Sequence, residues 1–397
     1  MATIRAITLS QGEPHPLTPP VLARAASFLR DAQAQAEAEG HVVQTTRLAC
    51  RPLLQDLDDY DAARLAAYAT DLNAWCEAES VAFVSLGPAP AHQPAFDLDR
   101  LNALVDVLLP NPTLNATTQI TYGGDPPRYT AALRTAEIMR QLAEASAGEA
   151  NFRFAMLAMC EPGGPFFPQA YARGRNWTVS VGLQCAGDVG EALADVASRE
   201  NDALSRLPSM EVAVQKALAA RARPVVALVK RLAEAAGISY GGVDLSPAPM
   251  GNESIAASME RAGLGPFGSS GTLTLAATLT AAIKAAAEEV GPSCGYNGLM
   301  LPALEDATLG QRMAEYGIGA TTLLAYSAVC GTGLDTIPLP GDTPPEAVAR
   351  LLADVATLAW RLRKPLSARL FLAPGVAAGE MTRFTSPYLT NTRVVAL

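Results

Sequence analysis

Cys330 opens the stretch Cys-Gly-Thr-Gly-Leu-Asp, which ends at Asp335. A thiolate is a strong nucleophile once its pKa is lowered, and clustered amides such as those of Gly331 to Gly333 lower it. Asp335 has no helix in view to cap, which leaves it open to acid–base work. Further carboxylates stand at Asp244 and Glu253 in "VDLSPAPMGNES" and at Glu305 and Asp306 in "LPALEDATLG". Carboxylates offered by several loops either hold a hard cation such as Mg²⁺ or Ca²⁺ or move protons. The expected catalytic set is Cys330, Asp335, Asp244 and Glu305, and the expected metal set is Asp244, Glu253, Asp306 and Asp335.

Two stretches suit an anionic substrate. Gly268-Ser269-Ser270-Gly271-Thr272 precedes an apolar helix, where free amides and the helix macrodipole favour phosphate or carboxylate. It is not a Walker A loop, because no Gly-Lys-Ser/Thr follows. In "CEPGGPFFPQAYARG", Glu161 follows Cys160 and Arg173 offers a planar cation to a carboxylate or phosphate. With Gly331 and Gly333, these residues form the expected substrate-binding set. Each also has a structural duty open to it. Cys330 suits a small buried filler, Ser269, Ser270 and Thr272 suit helix caps, and carboxylates beside helix starts suit dipole partners. Thr343, with Pro344, Pro345 and Glu346, reads as a capping box.

What positions these residues is a repeating unit: a short apolar strand, a Gly/Pro-rich loop, then a helix. "IRAITLS", "TTRLAC", "VAFVSLG", "TQITY", "FRFAMLAMC", "WTVSVGLQC", "GGVDLSPAP", "YNGLMLP", the run ending in Cys330 and "SARLFLAP" are the strands. Roughly ten units follow one another, and such continuous apolar strands fit a sheet buried on both faces. In these folds function gathers in loops at the carboxyl ends of strands. The chain reads as one α/β unit over 1–397, with a possible seam in the helical bridge 203–237.

The bulk numbers agree with a large enclosed core. The 397 residues are 49 % hydrophobic and 17 % charged, with a net charge of −9. That charge argues against nucleic acid and against anionic membranes. "MATIRAITLS" reads as a strand rather than a leader, and "GTLTLAATLTAAIKAAAEEV" carries too many charges for a membrane span. Six cysteines without paired spacing indicate reduced thiols in a cytoplasmic protein. Only His15, His41 and His92 are present, which restricts histidine chemistry. No organic cofactor is evident, and a homo-oligomer suits so apolar a chain.

Several of these segments together resemble a known prokaryotic family, domain-of-unknown-function family 711, also called uncharacterised-protein family 0210. The resemblance rests on "IRAITLS", "GGVDLSPAP" with Ser254, "GTLTLAATL", "GLMLPALED", "CGTGLDTIPLPGDTPPEAVARLLADVATLA" and "GEMTRF". It implies a ten-stranded α/β barrel with helices outside, of the kind seen in pyruvate formate-lyase and other glycyl radical enzymes. It implies no reaction, since fold is not function. The final "NTRVVAL" has Arg393 and Val394 but no glycine beyond them, against a glycyl radical. Where the family often has Gly-Thr-His-Gly-Thr, this chain has Gly268 to Thr272 without histidine. The family's Phe-His-Gly is likewise replaced near Tyr171, Ala172 and Arg173.

The expectation is a non-radical lyase or hydrolase acting on a small anionic metabolite at the strand ends. The alternative is a metabolite-binding regulatory protein without turnover. A third reading gives the acidic residues only capping duties.

Overall fold

The computed structural model describes residues 1–199 and 202–397. Its ten strands are β1 (Thr3–Ser10), β2 (Val42–Val43), β3 (Thr46–Ala49), β4 (Phe83–Ala89), β5 (Leu114–Thr121), β6 (Phe154–Ala158), β7 (Thr178–Gln184), β8 (Ser239–Asp244), β9 (Gly333–Pro340) and β10 (Leu366–Ala373). They form one sheet in the order β8-β7-β1-β3-β4-β5-β6-β10-β9, with the short β2 beside β1. The five central strands β1, β3, β4, β5 and β6 run parallel. β7 is antiparallel to β1 and carries β8 parallel to itself, while β10 is antiparallel to β6 and carries β9. The carboxyl ends of the central five therefore open at one mouth, and those of β7 to β10 at the other.

Period-two alternation decides which side chains face inward. On β10, Leu366, Ala368, Leu370 and Leu372 join the main core beneath the helices. Ser367, Arg369 and Phe371 take the other face. On β1, Ile4, Ile7 and Leu9 join the same core, and a bulge between Ile4 and Ala6 turns both Arg5 and Ala6 inward. A second, smaller apolar cluster fills the inside. It joins Ala6 of β1 to Leu157 of β6 through Phe166, Tyr171, Tyr296 and Met300. The result is an α/β barrel with its helices outside.

The two edge strands, β8 and β9, are not paired with each other. Residues 291–305 lie between them and bond to both. Val243 donates to the Pro292 carbonyl at 3.1 Å and Cys294 donates back to Val243 at 3.1 Å. At the other end, Ala303 donates to Asp335 at 3.1 Å and Gly331 to Leu299 at 2.9 Å. This segment contains the expected strand "YNGLMLP", which is irregular because Pro292, Gly295, Gly298 and Pro302 break its ladder.

β9 also departs from expectation. The apolar run before Cys330 is the helix Ala320–Ser327, and the strand starts only at Gly333. Pro338 and Pro340 lie within β9, where an edge strand tolerates a missing donor. The bridge between the halves is one helix, Leu207–Ala235, packed along the helix Thr272–Val290. Among the described residues no helix is long and apolar enough to cross a membrane.

Candidate functional site

A cavity of about 300 Å³ opens at the mouth where β7 to β10 end. Its polar wall is made by Arg5, Arg47, Glu305, Asp335 and Arg369, and its apolar wall by Phe83, Phe152, Phe166, Phe167, Met300 and Tyr388.

Asp335 of β9 and Arg369 of β10 are cross-strand partners. Arg369 Nε donates to Asp335 Oδ1 at 2.7 Å and Nη2 to Oδ2 at 3.0 Å, a bidentate fork. The same Nη2 donates to Glu305 Oε1 at 2.6 Å. Arg5 Nη2 approaches Glu305 Oε2 at 3.6 Å from across the barrel. Thr336, next to Asp335, has φ +47° inside a strand, where a β-branched residue is strained. Its hydroxyl accepts from the Leu304 amide at 3.1 Å, which ties the Glu305 loop to this kink. Burial raises the Glu305 carboxyl above its ordinary value; Arg369 opposes the rise and Asp335 adds to it. Burial works against Arg369, yet Asp335 and Glu305 hold its guanidinium above the usual value.

Arg47 is different. Its Nε donates to Thr45 Oγ1 at 2.9 Å and its guanidinium lies 4.9 Å from the centre of the Phe83 ring. Among the described residues no carboxylate forms an ion pair with it. Burial, then the neighbouring Arg5 charge, lower its pKa from the ordinary arginine value. Three guanidinium groups thus face two carboxylates, an excess of one positive charge inside aromatic walls. Tyr388 closes one side, stacked on Phe152 at 5.9 Å and edge-on to Phe83 at 6.1 Å. The arrangement can hold an organic anion with an apolar body.

Of the residues singled out from sequence, Glu305 and Asp335 meet here. Cys330 does not: it precedes β9, is 1 % exposed, and joins the core outside the barrel. Burial raises its thiol above the ordinary value, with Lys364 opposing, the reverse of an activated thiolate. Gly331 and Gly333 do not line this cavity. A Cβ on Gly331 would lie 2.8 Å from the Gly298 backbone, and one on Gly333 2.3 Å from the Ser367 carbonyl.

The four carboxylates of the expected metal set do not come together. Asp244 is fully buried and accepts from the amides of Ser246, Tyr296 and Asn297 and from the Ser246 hydroxyl. Asp306 caps the helix Ala307–Tyr316 through the Leu309 amide, and also accepts from Ser254 Oγ and the amides of Ile255 and Ala256. Glu253 is exposed, and Asp335 is held by Arg369. Among the described residues, no three of His, Cys, Asp and Glu are grouped to hold a metal ion.

The Gly268 to Thr272 turn uses its own donors: Thr272 Oγ1 accepts from the Gly268 amide at 3.0 Å, and Ser269 Oγ donates to the Pro266 carbonyl at 2.7 Å. Ser270 is exposed, and Gly271 precedes the helix in a left-handed conformation. Glu161 and Arg173 do meet, at the opposite mouth, where Tyr122 joins them. The residues that sequence reasoning missed are Arg5, Arg47 and Arg369. Each is a charge inside an apolar strand ("IRAITLS", "TTRLAC", "SARLFLAP"), which is a signal in itself, since buried charges need partners.

The family model described as "Uncharacterised ACR (DUF711)" matches residues 7–386. The chain is 40 % identical to a UPF0210 protein of Pyrobaculum arsenaticum over 157 residues, covering 38 % of this chain and 34 % of that one. It is 33 % identical to one from Pyrobaculum islandicum, covering 58 % and 51 %. With one from Methanopyrus kandleri it shares 32 % over 63 % of this chain and 55 % of the relative. The matches thus span about half or less of these relatives' lengths. Among solved structures, it is similar to the anaerobic ribonucleotide reductase from Thermotoga maritima. The TM-score is 0.42 at 11 % identity, over 92 % of this chain and 74 % of that chain.

Proposed function

This chain belongs to the DUF711 family, and from that premise we propose that it is a non-radical lyase acting on a small carboxylate in the arginine-lined cavity. The observation that carries this is Arg47, a cavity guanidinium without a carboxylate partner among the described residues, facing a wall that includes Phe83, Phe152, Phe166, Phe167 and Tyr388. Arg47 receives the substrate's carboxylate and the rings receive its apolar body. Glu305, raised by burial, takes the proton from the carbon next to the carboxylate, and the electron pair left behind forms a double bond as the group on the neighbouring carbon departs with that proton. Arg369, itself forked onto Asp335, holds Glu305 in place. Cys330 and Asp244 serve the framework.

One observation favours a second reading, binding without turnover: Arg369 engages both carboxylates, which leaves neither a free base. Proton exchange separates the two. The full chain is incubated in deuterium oxide with small carboxylic acids bearing apolar side chains, and ¹H NMR follows the hydrogen next to the carboxylate. The lyase reading expects loss of that signal for one acid class, abolished in Glu305→Gln and in Arg47→Gln. Binding that depends on Arg47 without exchange supports the sensor. Neither binding nor exchange for any acid sinks both.

A further inference from the structure

The mouth at the carboxyl ends of β3 to β6 holds a separate cavity of about 240 Å³. Its polar groups come from four successive strand ends: Arg51 after β3, His92 after β4, Gln119 and Tyr122 on and after β5, and Arg173 in the loop after β6. Pro52, Pro88 and Pro90 supply a rigid apolar wall.

Gln119 is 2 % exposed. Its Nε2 donates to the Cys160 carbonyl at 3.2 Å, while its Oε1 is buried without a hydrogen-bond partner among the described residues. His92 donates its backbone amide to the Gln119 carbonyl at 2.7 Å, and its Nδ1 is likewise buried and unpartnered. Its ring lies 5.7 Å from that of Tyr122. Burial lowers its pKa, which favours the neutral ring, and in the tautomer that carries its hydrogen on Nε2 the Nδ1 accepts. Opposite charges frame these acceptors. Arg173 Nη1 donates to Tyr122 Oη at 2.6 Å, and Tyr122 in turn donates to Glu161 Oε2 at 2.5 Å. Arg51 is already taken by Asp56, at 2.6 Å. Arg173 is the exposed cation of the cavity.

Two acceptors lacking donors among the described residues, in a cavity with an exposed guanidinium of which only Nη1 is engaged, describe the complement of one ligand class. We propose that this cavity is a second ligand site, for a small zwitterionic α-amino acid. The ammonium donates to Gln119 Oε1 and His92 Nδ1, the carboxylate meets Arg173, and an apolar side chain lies on the prolines. A hydroxyl carries one hydrogen and satisfies only one of the two acceptors; an ammonium carries three.

Isothermal titration of the full chain with L-valine tests this, against isovalerate (no ammonium), isobutylamine (no carboxylate) and 2-hydroxyisovalerate. Titrated into the Arg47→Gln chain, whose first cavity no longer takes a carboxylate, L-valine is expected to bind at least about tenfold more tightly than each of the three. Arg173→Gln and Gln119→Leu each weaken it by about tenfold or more, and Arg47→Gln leaves it unchanged. Because Gln119 is deeply buried, thermal unfolding first checks that its variant folds; Arg173, on the surface, decides the matter if it does not. Undetectable L-valine binding overturns the proposal. So does a preference for the hydroxy acid, or binding lost in Arg47→Gln and kept in Arg173→Gln, which places the amino acid at the other mouth.

Discussion

Arg369 and Arg47 line one cavity but carry opposite consequences for stability. Arg369 is the counter-charge for both Asp335 and Glu305. Arg369→Gln leaves two buried carboxylates without it, a loss of about 3–5 kcal/mol that lowers the urea midpoint. Arg47→Gln removes a cation lacking a carboxylate partner and repelled by Arg5, so the midpoint stays within about 1 kcal/mol while carboxylate binding is lost. His15 gives a pH prediction. It is 4 % exposed, and burial lowers its pKa from 6.5 to about 4 despite the nearby Asp56. As pH falls from about 6.5 through about 4, the unfolded chain takes up a proton that the folded chain refuses. His15 therefore withdraws up to roughly 3 kcal/mol of stability across that window. His15→Gln flattens this part of the stability–pH curve. At this scale the sequence showed the acids more readily than the bases. Glu305 and Asp335 stood in loop-like, Gly/Pro-rich surroundings that draw attention, whereas Arg5, Arg47 and Arg369 were hidden among strand-forming neighbours.

Eight of the barrel's strands coincide with apolar runs visible in the sequence, because burial on both faces leaves the strands little polar character. The misreadings share a cause in local composition. The run before Cys330 is rich in Leu and Ala, which pack as well in a buried helix as in a strand. Pro338 and Pro340 lie in an edge strand, β9, and the run "YNGLMLP", expected as a strand, is a segment that bridges two edges without regular pairing because glycines and prolines interrupt it. That segment depends on Asp244. Asp244→Ala leaves the amides of Tyr296 and Asn297 without their acceptor, at a cost of about 3 kcal/mol. Hydrogen exchange at those two amides is expected to rise more than at β5. Gly182 on β7 makes a second test: a Cβ there would lie 2.2 Å from the Phe166 ring. Gly182→Ala is expected to destabilise by about 1–3 kcal/mol. Adding Phe166→Leu recovers part of it, a coupling that a double-mutant cycle measures by denaturation.

At the scale of the molecule, the antiparallel placement of β7 and β10 against the central strands gives the barrel two chemically distinct ends. One gathers Arg5, Arg47 and Arg369 within aromatic walls, and the other gathers His92, Gln119 and Arg173 beside prolines. Strand spacing alone did not reveal this, because direction within a sheet depends on pairing partners far apart in the chain. The sequence therefore pooled Asp335, Glu305, Glu161 and Arg173 into one expected site, and the fold divides them between two.

A single loop lies between those ends. From Cys160 to Gly174 it gives Phe166 and Phe167 to the first cavity, and Tyr171, Arg173 and Gly174 to the second. Between them it is pinned by Thr8, whose hydroxyl donates to the Pro165 carbonyl at 2.7 Å, and by Tyr171, whose hydroxyl donates to the Cys160 carbonyl at 2.9 Å. A shared wall gives the two equilibria a physical route by which to couple. Whatever factor an amino acid at one end applies to the Kd of a carboxylate at the other, the carboxylate must apply in return. Titrating each ligand in the presence of saturating partner is expected to give the same ratio, different from one. A ratio of one would mean that the loop separates the two ends without transmitting between them.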